Sequence, residues 1–458
     1  MVTITSSYTV IPSEATPKGP LWLSEADQLL SPWTHTPTLY IYKASQKHMV
    51  FEKMRDSLSK ILVHYYPLAG RLRWIEGGRL EVDCNEKGVT LLEAETTRAL
   101  DDYGEFETNE GIKKHIPKIE VQYGGPIDDM PLFVVQLTRF SCGGFSIGIA
   151  NSHVLFDGVS ATRFVNSWAK IAREKALDKE EMPFLDRTIL KSRKPLMGSR
   201  FDHPEFKPMP RLLANSGGNL AEISKKKTSF ASLKLTKEQL LKLKIKANEG
   251  INMVQVQEHV AGRPYSRFET LVAHIWRSVT KARQRDILQE TAVGTVADIR
   301  NRMNPPLPKN YFGNAILRTV TPTCLTGDII SKPLSYAAQN IREAINKLTE
   351  EYLRSQLDFL TSQPQLDWLK NPLRLVELPA EEQCLGNPNI IIGCWMSMPV
   401  YDADFGWGKP VYMGPGPLDA DGDIIIIPAA TGDGSYVIAI CLQTDHLEAF
   451  KSIFYEEI

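Results

Sequence analysis

An excess of charge of either sign is missing from this chain. Its 458 residues carry 53 Lys+Arg and 54 Asp+Glu, a formal net charge of −1 at pH 7. Nucleic-acid affinity comes largely from clustered positive charge, so the balance argues against a nucleic-acid partner. Cysteine is sparse: Cys84, Cys142, Cys324, Cys384, Cys394 and Cys441 are scattered and include no CxxC pair. That pattern excludes a disulfide frame and a cysteine zinc site, and it reads as reduced cytosolic thiols. Long hydrophobic runs are missing too. The longest aliphatic stretch, Ile424 to Ile427, falls far short of the ~20 residues that span a bilayer. The opening MVTITSSYTVIPSEATPKGP lacks the basic and apolar regions of a signal peptide. No membrane span is therefore expected, and the cytoplasm is the expected location. There is no internal repeat, no phosphate-cradling glycine loop and no nucleotide fingerprint. What is present is ordinary globular composition, with 43% hydrophobic and 23% charged residues. At ~150 residues per domain the chain has room for two or three domains with real cores.

Period-2 and period-3.6 patterns follow one another along the chain. Thr38 to Tyr42 is β-branched and aromatic behind Pro37, as at a strand start. Val50 to Tyr65 then has helical spacing, with Phe51, Met54, Leu58, Ile61 and Leu62 on one face. Pro131 to Phe140 and Phe145 to Ala150 read as strands. Residues 180–225 hold Pro183, Pro195, Pro204, Pro208 and Pro210 with no sustained period, which suggests a crossover between domains. Beyond it, Ser229 to Leu235 reads as a strand. Thr236 and Gln239 match a capping box ahead of Leu240, Leu243 and Ala247. Arg267 to Lys281 reads as a helix, Asn389 to Trp395, Asp423 to Ile427 and Ser435 to Leu442 as strands, and His446 to Phe454 as a closing helix. Without a regular βαβ beat, the fold class is α/β in the broad sense.

Two segments carry candidate chemistry. In FSIGIANSHVLFDG, Phe145, Ile147 and Ile149 share one strand face, and the same parity reaches His153. Asp157-Gly158 breaks the strand, and Ala161, Phe164, Val165, Trp168 and Ala172 follow at helical spacing. His153 thus sits at a strand-to-helix junction, where a neutral imidazole can project into a cleft and accept a proton. Asp157 can turn back toward the ring or brace the loop through a basic partner. The second segment is Asp404-Phe405-Gly406-Trp407-Gly408-Lys409-Pro410. It reads as a tight turn whose indole packs between layers and whose carboxylate can hold an arginine, a structural element more than a catalytic one.

These two markers at this separation, with LWLSEADQ, HTPTLYIYK, YYPLAGRL and DIRNRMNPPLPKNYFGNA, resemble the BAHD family of plant acyl-CoA-dependent acyltransferases over essentially the whole chain. The resemblance implies two similar chloramphenicol-acetyltransferase-like α/β domains joined by a long crossover, with an active-site channel between them. Residues 1–180 would form the N-terminal domain carrying HxxxD, 181–227 the crossover, and 228–458 the C-terminal domain carrying DFGWG. The family implies a usually monomeric enzyme with no metal, no bound cofactor and no covalent acyl-enzyme, and a coenzyme A thioester as co-substrate. His153 would be the general base. Asp157 would hold the loop, with Arg300 in DIRNR as its candidate partner. Asp404 is grouped with the catalytic residues because a proton-transfer role is sometimes credited to it. Phe405, Gly406, Trp407 and Gly408 would support the channel. Trp395 would face the reacting carbonyl and offer its N–H to the oxyanion, while Thr36, Thr38 and Tyr40 would line the channel. A thioester is already activated, so no nucleophilic serine or cysteine is needed. The acceptor must be placed and deprotonated, and the oxyanion stabilised.

Within the family, LWLSEADQ and HTPTLYIYK look closest to the spermidine hydroxycinnamoyl transferases. Segment VELPAEEQCLGNPN holds Glu377, Glu381 and Glu382, and no arginine follows Arg374 there. An acidic lining suits a polycation and repels a carboxylate. The expected partners are a hydroxycinnamoyl-CoA donor and a polyamine acceptor, giving phenolamides, with the shikimate or quinate O-acyltransferase reaction as the alternative.

Overall fold

Each strand–helix alternation of the sequence becomes one layer pair of an α/β fold with two similar halves. The computed structural model describes residues 2–45, 50–104, 109–119, 126–193, 200–213, 226–249, 263–366 and 386–458. Its first six-stranded sheet runs Val2–Val10, Val89–Thr96, Phe133–Arg139, Phe145–Ser152, His35–Tyr42, Tyr412–Pro415. The second runs Ile316–Val320, Val293–Asp298, Ile390–Cys394, Asp423–Pro428, Tyr436–Gln443, Thr228–Leu235.

The likeness of the halves lies in their order of elements. Strand His35–Tyr42 feeds helix Phe51–His64, as strand Thr228–Leu235 feeds helix Lys237–Ala247. Hairpin Phe133–Arg139/Phe145–Ser152 feeds helix Gly158–Ala172, as hairpin Asp423–Pro428/Tyr436–Gln443 feeds helix Thr444–Glu456. In both sheets the second hairpin strand pairs antiparallel with the strand that feeds the first of these helices. Sequence explains the central strand of the first sheet. Phe145–Ser152 is buried at every position because strands flank it on both sides, and the run FSIGIANS supplies small or apolar side chains for both faces. Helix Gly158–Ala172 buries Phe164, Val165, Trp168 and Ala169. Trp168 Nε1 donates to Ser57 Oγ of the Phe51–His64 helix at 3.0 Å, so the buried indole has a partner. The Thr236–Gln239 capping box forms with both its bonds.

One segment crosses the division expected at 227/228. Tyr412–Pro415 pairs antiparallel with His35–Tyr42, placing Met413 opposite Tyr40, and Val400, Ala403 and Phe405 belong to the first core. A four-residue strand carries no local mark of which sheet edge it will join. The crossover is fastened rather than loose at its described ends. Leu190 and Phe206 are buried with Ala26, Leu29, Ile299, Met303, Tyr311 and Leu357 in a third cluster. Among the described residues no helix is long and apolar enough to cross a membrane.

Candidate active site

The first sheet's central strand ends at Ser152, and the chain takes a short loop before the helix that starts at Gly158. That loop opens into a cleft. Strand parity continues as expected: Ile149, Asn151 and His153 all line the cleft. Thr36, Thr38 and Tyr40 enter from the paired strand, and Phe156, Ala161, Thr162 and Val165 from the loop and helix. Trp395, Met398 and Met413 complete it from the C-terminal part of the chain. The lining is mostly apolar with a few convergent polar groups, the usual makeup of a small-molecule site. Burial pushes the Tyr40 hydroxyl far above its ordinary pKa, so it stays protonated as a donor.

His153 is half-buried. Its Nδ1 is buried and, among the described residues, has no hydrogen-bond partner. Asp157 does not turn to the ring. Its carboxylate is almost wholly buried, and Oδ1 caps the following helix through Ser160 N at 2.9 Å. Arg300 grips both oxygens, Nη1 to Oδ2 at 2.9 Å and Nη2 to Oδ1 at 3.0 Å, and Ala315 N donates to Oδ2 at 2.9 Å. Burial alone would raise this carboxyl, but the Arg300 charge and four hydrogen bonds outweigh it and hold it below its ordinary value. The bidentate pair braces the loop across the two halves.

Gly158 has a specific spatial reason. A Cβ there would stand 3.0 Å from Met398 Cε and 3.6 Å from Trp395 Nε1. The indole N–H therefore lies over the first turn of the helix that follows the His153 loop. Burial pushes the neighbouring Cys394 thiol up, which disfavours a thiolate nucleophile.

Asp404 stands apart from the other candidate residues, in keeping with an architectural role. It does not line the cleft. Its Oδ1 accepts from Gly406 N and Gly408 N at 2.7 and 3.0 Å, and Oδ2 lies 3.5 Å from Arg173 Nη1. These contacts shape a turn whose glycines take φ of +107° and +99°, conformations that other residues adopt at a cost. The turn seats Trp407 on Phe145 at 4.4 Å and Phe405 on Trp168 at 5.0 Å, both edge to face. Glu377, Glu381 and Glu382 lie outside the described residues. Sequence reasoning missed Asn151, Thr162, Met398 and Met413. Asn151 shares the parity of Ile149 and His153, and Thr162 lies one helical turn beyond Gly158, so both carried a readable signal.

The cleft thus has a half-buried histidine on a loop that an ion pair braces across two α/β halves, an arrangement able to move a proton at a bound acceptor. A family model described as the Transferase family matches residues 1–457, and the chain belongs to that family, the BAHD acyltransferases. A hydroxycinnamoyl-CoA:piscidic acid hydroxycinnamoyltransferase from Actaea racemosa is 43% identical over 464 residues, covering 100% of both chains. A shikimate O-hydroxycinnamoyltransferase from Nicotiana tabacum is 38% identical over 99% of each. Among solved structures, F. sporotrichioides TRI101 complexed with coenzyme A and T-2 matches with a TM-score of 0.76 at 16% identity, over 95% of this chain and 97% of that one. That likeness speaks to the fold.

Proposed function

We propose that this chain transfers a hydroxycinnamoyl group from coenzyme A to a hydroxyl group of a small carboxylic acid, with His153 as general base. The donor follows the two relatives above, and their names give piscidic acid and shikimate as acceptors. The described cleft offers a charged acceptor little of either sign. Asp157 is the only acid in its described lining, and Arg300, Ser160 and Ala315 occupy both its oxygens. Among its described lining residues the cleft has no free carboxylate for the ammonium groups of a polyamine and no Lys or Arg for a carboxylate, so the choice of acceptor rests on the relatives. The spermidine expectation rested on LWLSEADQ, HTPTLYIYK and the segment with Glu377, Glu381 and Glu382, which lies outside the described residues.

In the proposed reaction His153 takes the acceptor hydroxyl proton as the oxygen attacks the thioester carbonyl. A C–O bond forms and the carbonyl becomes an oxyanion, for which Trp395 Nε1 is the donor. Collapse breaks the C–S bond, and the imidazolium returns the proton to the leaving thiolate, giving ester and free coenzyme A. Asp157 and Arg300 hold the loop, and Thr36, Thr38, Tyr40 and Asn151 orient the two substrates. The test is purified protein with p-coumaroyl-CoA offered shikimate, quinate or spermidine separately. Esters of an acid acceptor should form with kcat/KM at least ~10²-fold above amide formation on spermidine. Spermidine amides as the main product would overturn the acceptor assignment.

A further inference from the structure

Two of the sequence stretches noted above, LWLSEADQ and NYFGNA, take no part in the cleft, yet they meet behind it. Ser24 opens a short helix, and Asp27 Oδ2 accepts from Ser24 N and Oγ at 2.8 and 2.7 Å. The other oxygen, Oδ1, accepts from Asn314 N and Nδ2 at 2.9 and 2.8 Å, and Arg187 Nη1 lies 3.0 Å from it. The side chains of Asp27 and Arg187 are 0% exposed, so no solvent competes for this contact. From the one carboxylate, two arms reach the loop of the proposed base. Asn314 Nδ2 also lies 2.9 Å from His153 O and 3.1 Å from Val154 O. Arg187 Nη2 donates to Leu155 O at 2.7 Å. All of these partners of Asn314 are acceptors, so its amide nitrogen, not its oxygen, must face them.

A base can be oriented through its ring or through its main chain. The ring route is absent here, because Nδ1 of His153 has no partner among the described residues. The main chain is held instead at consecutive carbonyls from His153 to Leu155. We infer that Asn314, itself oriented by Asp27, is a positioning residue that fixes where His153 meets the substrates. The inference rests on the reading of His153 as general base. A sub-ångström error at a reacting group is expensive, since ~1 Å of misplacement can cost 10²-fold in rate. Asn314 lies behind the cleft rather than in its lining, so it acts through His153 and not on substrate.

The experiment is a double-mutant cycle on kcat, with p-coumaroyl-CoA and the best acceptor of the panel above. Wild type, Asn314→Ala, His153→Ala and the double variant are compared, and thermal melting reports folding. Asn314→Ala should lower kcat ~10²-fold while the donor KM moves less than ~3-fold. In the His153→Ala background the same change should cost less than ~3-fold, because the group it positions is gone. Wild-type kcat in a folded Asn314→Ala protein, or an equal loss in both backgrounds, would overturn the inference and leave the base assignment standing. Wild-type turnover in His153→Ala would overturn the base assignment itself, and the inference with it. If Asn314→Ala does not fold, Asn314→Ser, which keeps a hydroxyl donor, carries the same comparison.

Discussion

The two halves of the molecule each end a hairpin in a strand-to-helix junction, and the junctions differ in how the chain leaves the strand. In the second half, helix Thr444–Glu456 starts directly after strand Tyr436–Gln443. In the first, the loop from His153 to Asp157 stands between strand and helix. Each junction has a buried aspartate–arginine contact close by: Asp157–Arg300 at 2.9 Å in the first, Asp421–Arg283 at 3.1 Å in the second. The added loop is what brings a histidine into a cleft. His446, on the first turn of the second helix, lies beside Asp421, Arg283, Arg285 and Lys226 instead, and burial with the nearby cations lowers its pKa to about 4. One architecture thus places a histidine in a cleft at one junction and among charged side chains at the other, which is why function is argued from a site and not from a fold.

Breaking the first junction should have the largest effects. His153→Ala should cost ~10²–10⁴-fold in kcat/KM with cooperative melting retained. Trp395→Phe keeps most of the packing and loses the N–H. It should cost ~10²–10³-fold in kcat with little change in donor KM, whereas a change in KM alone would make Trp395 a wall of the cleft. Asp157→Ala strands Arg300 in the interior and should destabilise by ~3–5 kcal/mol, visible in denaturant melts, while Asp157→Asn should keep part of the activity. The Asp157 carboxyl is depressed in the folded state, so its contribution is full above its ordinary value and is lost as pH falls below it.

The second junction should answer pH with the opposite sign. Burial, then the Asp421 charge, raises the Asp423 carboxyl from its usual 3.8 to about 7. The folded state holds a proton there that the unfolded chain releases, so stability falls as pH rises between those values. Asp423→Asn should therefore raise the melting temperature by ~2–4 °C at pH 8, with the gap closing toward pH 4. An unchanged melting curve at both pH values would remove Asp423 from the account.

How much of this was legible in the sequence differs between the two junctions. At the first, alternation from Phe145 through His153 and the break at Asp157-Gly158 marked the strand, the junction and the place of His153, because period and turn chemistry are local. Arg300 was reached through family resemblance, and it grips Asp157 as that resemblance implied. Asn314 and Asp27 were not legible, since their contact spans 287 residues of chain and neither leaves a periodic trace. Tyr412–Pro415 was missed as a partner of the first sheet for the same reason. Helix Leu334–Asn346 also went unread: much of its buried face is alanine, with Ala337, Ala338 and Ala344, which gives a weak apolar signal. The acceptor is not legible at this level: the N-terminal motifs are shared across the family, and Glu377, Glu381 and Glu382 lie outside the described residues.

Of the two junctions, the first should carry the acyl transfer and the second should not. Single-turnover transfer from p-coumaroyl-CoA to the best acid acceptor, measured side by side in wild type, His153→Ala and His446→Ala, tests it most directly. The account predicts ester formation in His446→Ala within ~3-fold of wild type and a loss of at least ~10² in His153→Ala. Equal rates in the two variants, whether both intact or both lost in folded protein, would contradict it.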